Sequence, residues 1–590
     1  MNNQETEKTV FDENPNTQET KVRKWKKPWI KRFIFVLIAN SIYYIAVPYF
    51  NPTLHRAVQK NNLEKIKELH KKGRDLNALD SDGWAPIHCA IMNTSTDAIE
   101  LLLKLGATID VKTKKKKLNP LMLAVLNQKK SHVKLLLKHD AQVNFEAMQG
   151  ASALRLAVEK NDLEIAELLL QNNAKIEIYA PDGLNILHYA IQANRPTMVE
   201  LLLKYSSNIE APAKLEVDTP PLHLAAFYGH EKIAALFIKY GSNVNQMVCN
   251  DKNEISPLHI AAEKGNAVVG VLLEKSAKTE SVTKEGFTPL HLAVINNNFE
   301  SVKLLIKHKA DINAIAKEKF VHTPLSIAIE KGNAQMVSLL ISLGADTTIP
   351  LVKNISNLAY AALKGNLEIC EILIKHGSDV NKPASHNIIP LHHAIFGENQ
   401  NIVALFLKNN ASIEAYNDTD GMNALHIAVA HNEIEMAKLI LDKGADVNVL
   451  SKGHKKATPL HYAVVCGNIE MASLLIAHGA QVSKPGYKEV PLLTASAATG
   501  NIEMANLLLK HGASINKAAT SDCITALHIA VSYKKKGMIT FLIENGAKID
   551  VEAPSGKSVL DIAKETKNED IINLVKNNIA LQYSSHDEKC

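Results

Sequence analysis

Residues 288–314 read TPLHLAVINNNFESVKLLIKHKADINA. Leu290, Ala293 and Val294 stand at i, i+3 and i+4, one face of a helix. Thr288 is placed to cap that helix, and Pro289 fits its first turn, where a missing N–H costs nothing. Phe299, Val302 and Ile306 set a second apolar stripe, and Ile312 follows in an extended turn. The stretch predicts two short helices and a turn, with an apolar face too wide for the unit to bury alone.

The stretch recurs. Positions equivalent to Leu290 are Leu54, Ile87, Leu121, Leu154, Leu187, Leu222, Leu258, Leu325, Leu358, Leu391, Leu425, Leu460, Leu493, Leu527 and Leu560, sixteen anchors in all with gaps of 32 to 36 residues. A fixed period carrying Thr-Pro-Leu-His-x-Ala resembles the ankyrin repeat family, and the resemblance spans about residues 51–580, leaving 581–590 as a C-terminal tail. It implies an all-α ankyrin-repeat solenoid, helix-turn-helix plus a β-turn or hairpin per repeat. It also implies a protein-binding scaffold. One such architecture serves many partners, so the partner's identity stays open.

The start and stop signals agree with the stripes. Seven residues after the anchor the first helix must end. Gly229, Gly265, Gly332, Gly365, Gly467 and Gly500 stand there, with Asn61, Asn161, Asn194, Asn297 and Asn432 substituting. Both residue types tolerate the left-handed conformation of a helix C-cap. A second set of glycines, nineteen after the anchor, ends the second helix. The seventh repeat is a residue short in its second helix and carries Gly270 there, which predicts the weakest seam of the array. Turn insertions at 211–218, 246–255, 314–321 and 449–457, and a basic finger of Lys112 and Lys114 to Lys117, fall in the connecting turns.

A chain of 590 residues would ordinarily hold several globular domains. Repeats remove that inference, because a solenoid grows by adding neighbours. The net charge of +6 is too slight over this length to indicate nucleic acid. The six cysteines include no CxxC pair and read as free thiols. Ten of the 24 histidines occupy the motif position: His55, His88, His188, His223, His259, His291, His392, His426, His461 and His528. The resemblance implies that these are structural. His139, His308, His376, His478 and His511 end second helices, where they complement the negative helix end. No HExxH, GxSxG or phosphate-loop motif occurs. The expectation is a non-enzymatic chain with no catalytic residues, metal, cofactor or small-molecule substrate.

The amino-terminal part departs from the repeat. Residues 1–20 are polar and acidic and read as disordered. Residues 21–32 carry seven basic side chains interleaved with Trp25 and Trp29, a membrane-flanking pattern. Residues 33–50, FIFVLIANSIYYIAVPYF, hold no charge and approach the length that crosses a bilayer. They read as a single-pass anchor tethering the array to a membrane. The alternatives are a cleaved signal peptide, giving a secreted effector that acts on a partner in another cell, and a buried capping helix.

The resemblance implies that partners meet the turn tips and the exposed end of the first helix, five and six residues past the anchor. Those positions include Phe227, Tyr228, Glu263, Lys264, Ile295, Phe396 and His431. They form the expected partner-binding set, with the aromatics as its centre.

Overall fold

The computed structural model describes residues 53–587, apart from 207, 250–253, 318–320, 352–353, 453–455, 485–489, 520–523 and 554–555. The described residues fall into two compact units, one ending at Lys175 and the other beginning at Ile176. In each unit the described residues form pairs of short antiparallel helices, and successive first helices pack side by side with the second helices behind them. Among the described residues three short antiparallel hairpins, pairing Ala213 with Thr219, Val248 with Ile255 and Ala316 with His322, lie in the inserted turns.

The eighth repeat shows how sequence becomes structure. Its first helix is Pro289–Ile295, and the Thr288 side chain accepts the His291 N–H as its cap. Leu290, Ala293 and Val294 are buried. The second helix, Phe299–Lys307, buries Val302 and Leu305 completely. Phe299 and Ile306 are only half-buried. The second stripe is therefore turned from the expected Phe299–Val302–Ile306 line towards Leu305, because that helix faces its own first helix and its neighbours at once. The glycines and asparagines expected to end the first helices, Gly229 at φ 73° and Asn161 at φ 56° among them, adopt the left-handed conformation.

The expected single-pass membrane location is corrected by the helices themselves. Among the described residues no helix is long and apolar enough to cross a membrane. Those of the repeats span six to ten residues. The last helix, Glu569–Asp587, reaches 19 residues but carries Glu569, Asp570, Lys576 and Asp587. Residues 33–50, with 1–20 and 21–32, lie outside the described residues.

Neighbouring repeats are tied by polar bonds as well as apolar burial. In the eighth repeat Thr288 N–H donates to His291 Nδ1 at 3.1 Å. That leaves the proton on Nε2, which donates to the His322 carbonyl at 3.1 Å in the hairpin leading to the next repeat. His88 makes the same pair of bonds with Ala85 and Val111, His188 with Asn185 and Ala211, and His259 with Ser256 and Phe287. A second ladder runs through asparagines 23 residues past the anchor. Asn77, Asn144, Asn245, Asn313, Asn381, Asn448 and Asn516 each accept a backbone N–H from the following repeat at 2.8–2.9 Å. At two hairpin tips a glycine is required: the carbonyls of Gly183 and Gly421 accept the N–H of Lys214 and Lys452 at 2.7 Å. A Cβ there would sit 1.9 Å and 2.2 Å from the facing lysine carbonyl oxygens.

Burial holds His88, His188, His223, His259, His291, His392 and His426 neutral, lowering each to about 4. Unfolded, a histidine titrates near 6.5. The unfolded chain therefore binds more protons below that value, and stability is full above pH 6.5 and lost as pH falls towards 4. At pH 5.5 each such histidine costs its cooperative unit about 1 kcal/mol. Urea unfolding followed by circular dichroism should show the midpoint dropping from pH 7.5 to 5.5, before ordinary carboxylates titrate. A flat profile would refute the neutral ladder.

The second helix of the seventh repeat, Val268–Glu274, has seven residues, whereas its neighbours Glu231–Lys239 and Phe299–Lys307 have nine. A Cβ on Gly270 would meet nothing within 4 Å. Gly270→Ala should therefore stabilise the array by about 0.5–1 kcal/mol. It should also slow hydrogen exchange over residues 258–282, where the natural chain should exchange fastest. Exchange there no faster than in the flanking repeats would show that the seam is not weak.

Candidate protein-interaction surface

Phe227 and Tyr228 end the helix Pro221–Tyr228, beyond its buried stripe of Leu222, Ala225 and Ala226. Gly229 then reverses the chain at φ 73°. This geometry leaves both rings half-buried at the rim. They meet edge to face, 5.3 Å between centroids at 85°. His230 stacks on Tyr228 at 5.6 Å and 15°. From the next repeat, Lys264 Nζ lies 5.0 Å above the Phe227 ring and 2.9 Å from Glu263 Oε1. From the preceding repeat, Gln192 Nε2 donates to Tyr228 Oη at 3.5 Å. Burial pushes the Tyr228 hydroxyl up to about 12, so it keeps its proton, and it lowers His230.

Four expected residues, Phe227, Tyr228, Glu263 and Lys264, thus come together in one cluster. Ile295 stands half-buried at the equivalent helix end one repeat further on. Phe396 and His431 form a separate pair at the ends of two later first helices, edge to face at 5.6 Å and 71°. Gln192 and His230 were missing from the expected set. Gln192 lies five residues past Leu187, so the positional rule applied to the fifth repeat finds it. Nothing periodic marks His230.

Two recesses open beside hairpins. One, of about 290 Å³, is lined by Glu210, Pro212, Val217, Gln246 and Cys249 among others. The other, of about 590 Å³, is lined by Tyr416, Asp446, Leu450, Lys452, Lys456 and Lys484 among others. In the basic finger, Lys112 Nζ lies 4.6 Å above the Phe145 ring. Among the described residues no three His, Cys, Asp or Glu side chains are grouped to hold a metal ion. Cys89 and Cys370 are buried free thiols, raised to about 12 by desolvation.

A family model described as ankyrin repeats in three copies matches residues 54–147, 154–248, 222–316, 315–384, 358–451 and 449–519. A second, of ankyrin repeats in many copies, matches residues 492–550. Ankyrin repeat protein FPV031 of fowlpox virus (strain NVSL) is 35% identical over 95 residues, 16% of this chain and 27% of that protein. The nuclear factor NF-kappa-B p105 subunit of Gallus gallus is 35% identical over 98 residues, 16% of this chain and 10% of that one. Human protein phosphatase 1 regulatory subunit 27 is 42% identical over 57 residues, 10% of this chain and 37% of that one. The chain therefore spans only 10% to 37% of the length of these relatives. The solved human ASB11 ankyrin repeat domain matches at 22% identity and a TM-score of 0.35, over 38% of this chain and 99% of that one.

Proposed function

The chain belongs to the ankyrin-repeat family, and on that premise we propose that it is an interaction scaffold that captures a protein partner on the helix-end cluster around Phe227 and Tyr228. The observation that carries the site is the half-buried aromatic pair braced from both flanking repeats by Gln192 and Lys264. Bracing removes rotamer freedom before a partner arrives, which lowers the entropic cost of binding. Tyrosine with a protonated hydroxyl offers an apolar face and a donor together, the combination that interface centres favour. The relatives named as a p105 subunit and as a regulatory subunit support a role in assemblies. No catalytic step is assigned to the array.

The test begins with a partner recovered by the full chain from native extract and then purified. Phe227→Ala with Tyr228→Ala should weaken its affinity at least ~30-fold, the size of two modest hot spots. Circular dichroism should stay unchanged, because neither ring belongs to the buried stripe. Unchanged affinity with an unchanged spectrum would move the site elsewhere on the array.

A further inference from the structure

Eight residues past the anchor, just before the second helix, stand Asn62, Asn266, Asn298, Asn366, Asn399 and Asn501. The amide at this place ties its helix to the preceding repeat. Asn266 Nδ2 donates to the Ala226 carbonyl at 2.7 Å, Asn298 Nδ2 to that of Ala262 at 2.8 Å, and Asn399 Nδ2 to that of Gly365 at 3.1 Å. In the sixth repeat the place belongs to His230. Its side chain makes no cap bond to the helix Glu231–Lys239. The ring lies flat against Tyr228 instead, 5.6 Å between centroids and 15° from parallel. Asparagine would serve the cap and the joint. What an imidazole adds is a flat face behind Tyr228 and a proton that exchanges between pH 5 and 8.

His230 Nε2 is buried and has no hydrogen-bond partner among the described residues. A neutral ring can carry its proton on Nδ1 and leave Nε2 bare. A charged ring puts an N–H on Nε2 with nothing to receive it, a far larger cost. Burial accordingly lowers His230 below the ordinary histidine range, and the Gln192 carbonyl offsets only part of that. The surrounding elements supply no acceptor. The preceding first helix, Ile186–Gln192, brings only His188, and the histidine's own first helix only His223, both held neutral by burial. Arg195 follows, and the helix Pro196–Tyr205 brings Lys204 and Glu200, the latter paired with Lys239. The next first helix, Pro257–Lys264, brings a neutral His259 and Glu263, which is engaged by Lys264. The helix Val268–Glu274 carries its one acid at its far end. Glu231 and Lys232 follow His230 directly, both exposed and opposite in sign.

We propose that the Phe227–Tyr228 site is gated by proton uptake at His230. With a neutral imidazole stacked behind Tyr228 the site is formed; on protonation the ring leaves the stack for water and partner affinity falls. The inference rests on the docking reading above and adds its regulation. Tyr228 is held by the edge contact with Phe227, the Gln192 bond and the His230 stack. Removing the stack returns rotamer freedom to Tyr228, and the partner must then pay the ordering cost that bracing had removed. Attraction between an imidazolium and the Tyr228 face opposes release, but it leaves the buried N–H without an acceptor.

The probe is the partner recovered by the full chain, titrated from pH 7.5 to 5.0 with circular dichroism at each pH. Kd should be constant above pH 6.5 and then rise, approaching about tenfold per pH unit once His230 is mostly protonated. His230→Phe keeps a flat ring behind Tyr228 without the proton. It should match the natural chain at pH 7.5 and hold that affinity at pH 5.0 within ~2-fold. His230→Asn installs the array's usual residue and loses the stack, so it should bind more weakly at pH 7.5 and show no bend. A constant Kd in the natural chain, or a bend that persists in His230→Phe, overturns the proposal. So does a loss of ellipticity that tracks the rise in Kd, because the array's other histidines would then be its cause. Unchanged affinity in Phe227→Ala with Tyr228→Ala removes the docking reading by itself. The gate is then read without a partner, by magnetic resonance of the full chain with isotope-labelled histidine and tyrosine rings. Cross-relaxation between His230 and Tyr228, identified by its absence in His230→Asn, should vanish as His230 titrates. Its persistence through the titration overturns the gate.

Discussion

A neutral imidazole buried from water needs one donor and one acceptor within reach. In this fold the two come from different repeats. The donor is the N-cap backbone of the histidine's own helix, and the acceptor is a carbonyl of the hairpin that follows, as His291 shows with Thr288 and His322. A single repeat can therefore neither bury its apolar face nor satisfy its own histidine. The asparagine ladder adds the same requirement in the opposite sense, with a side chain of one repeat accepting a backbone N–H of the next. Cohesion is thus strictly between neighbours, which is why the molecule is built as stacks and not around one core.

The bond is not uniform along the chain. Pro220 caps the sixth repeat and has no N–H, so His223 Nδ1 is left without a partner while Nε2 still reaches the Ile255 carbonyl at 3.3 Å. In the ninth repeat Ser326 replaces histidine and donates back to the Thr323 carbonyl at 2.9 Å, satisfying itself locally. In the third, Met122 cannot make the bond at all, and Asn119 takes over the cap. Such repeats rely more on apolar burial, and the third and sixth also on Asn144 and Asn245 of the asparagine ladder. The seventh, with its short second helix, has less of the former. Local opening has a physical address in these positions.

What was legible in the sequence was what obeys local rules. Thr288, Pro289 and the glycine and asparagine C-caps act within a few residues of where they stand, so their roles could be read from spacing alone. The burial of Leu305 over Ile306 could not, because it depends on where the neighbouring helices lie. Asn313 and its equivalents recur at a fixed offset, yet their partners are 31 to 33 residues away and have no side-chain signature. At the candidate surface, Phe227, Tyr228, Glu263 and Lys264, picked by position, lie side by side. Position also set Phe396 and His431 apart, in later repeats, but did not bring in His230, whose stacking follows from the path of the chain after Gly229. The membrane location inferred from residues 33–50 rested on composition alone, and the helices of the described chain, short or charged, do not support it.

The histidine bridge ends on a peptide carbonyl, a group that every residue possesses. The repeat that supplies the acceptor is therefore under no side-chain constraint from the repeat that supplies the donor. Such a joint asks the accepting repeat for a backbone carbonyl and no particular side chain, and outward positions such as Val465 and Tyr533 take no part in it. The array is in that sense a modular alphabet: its grammar is written in the backbone, and its vocabulary in the side chains the joints leave alone.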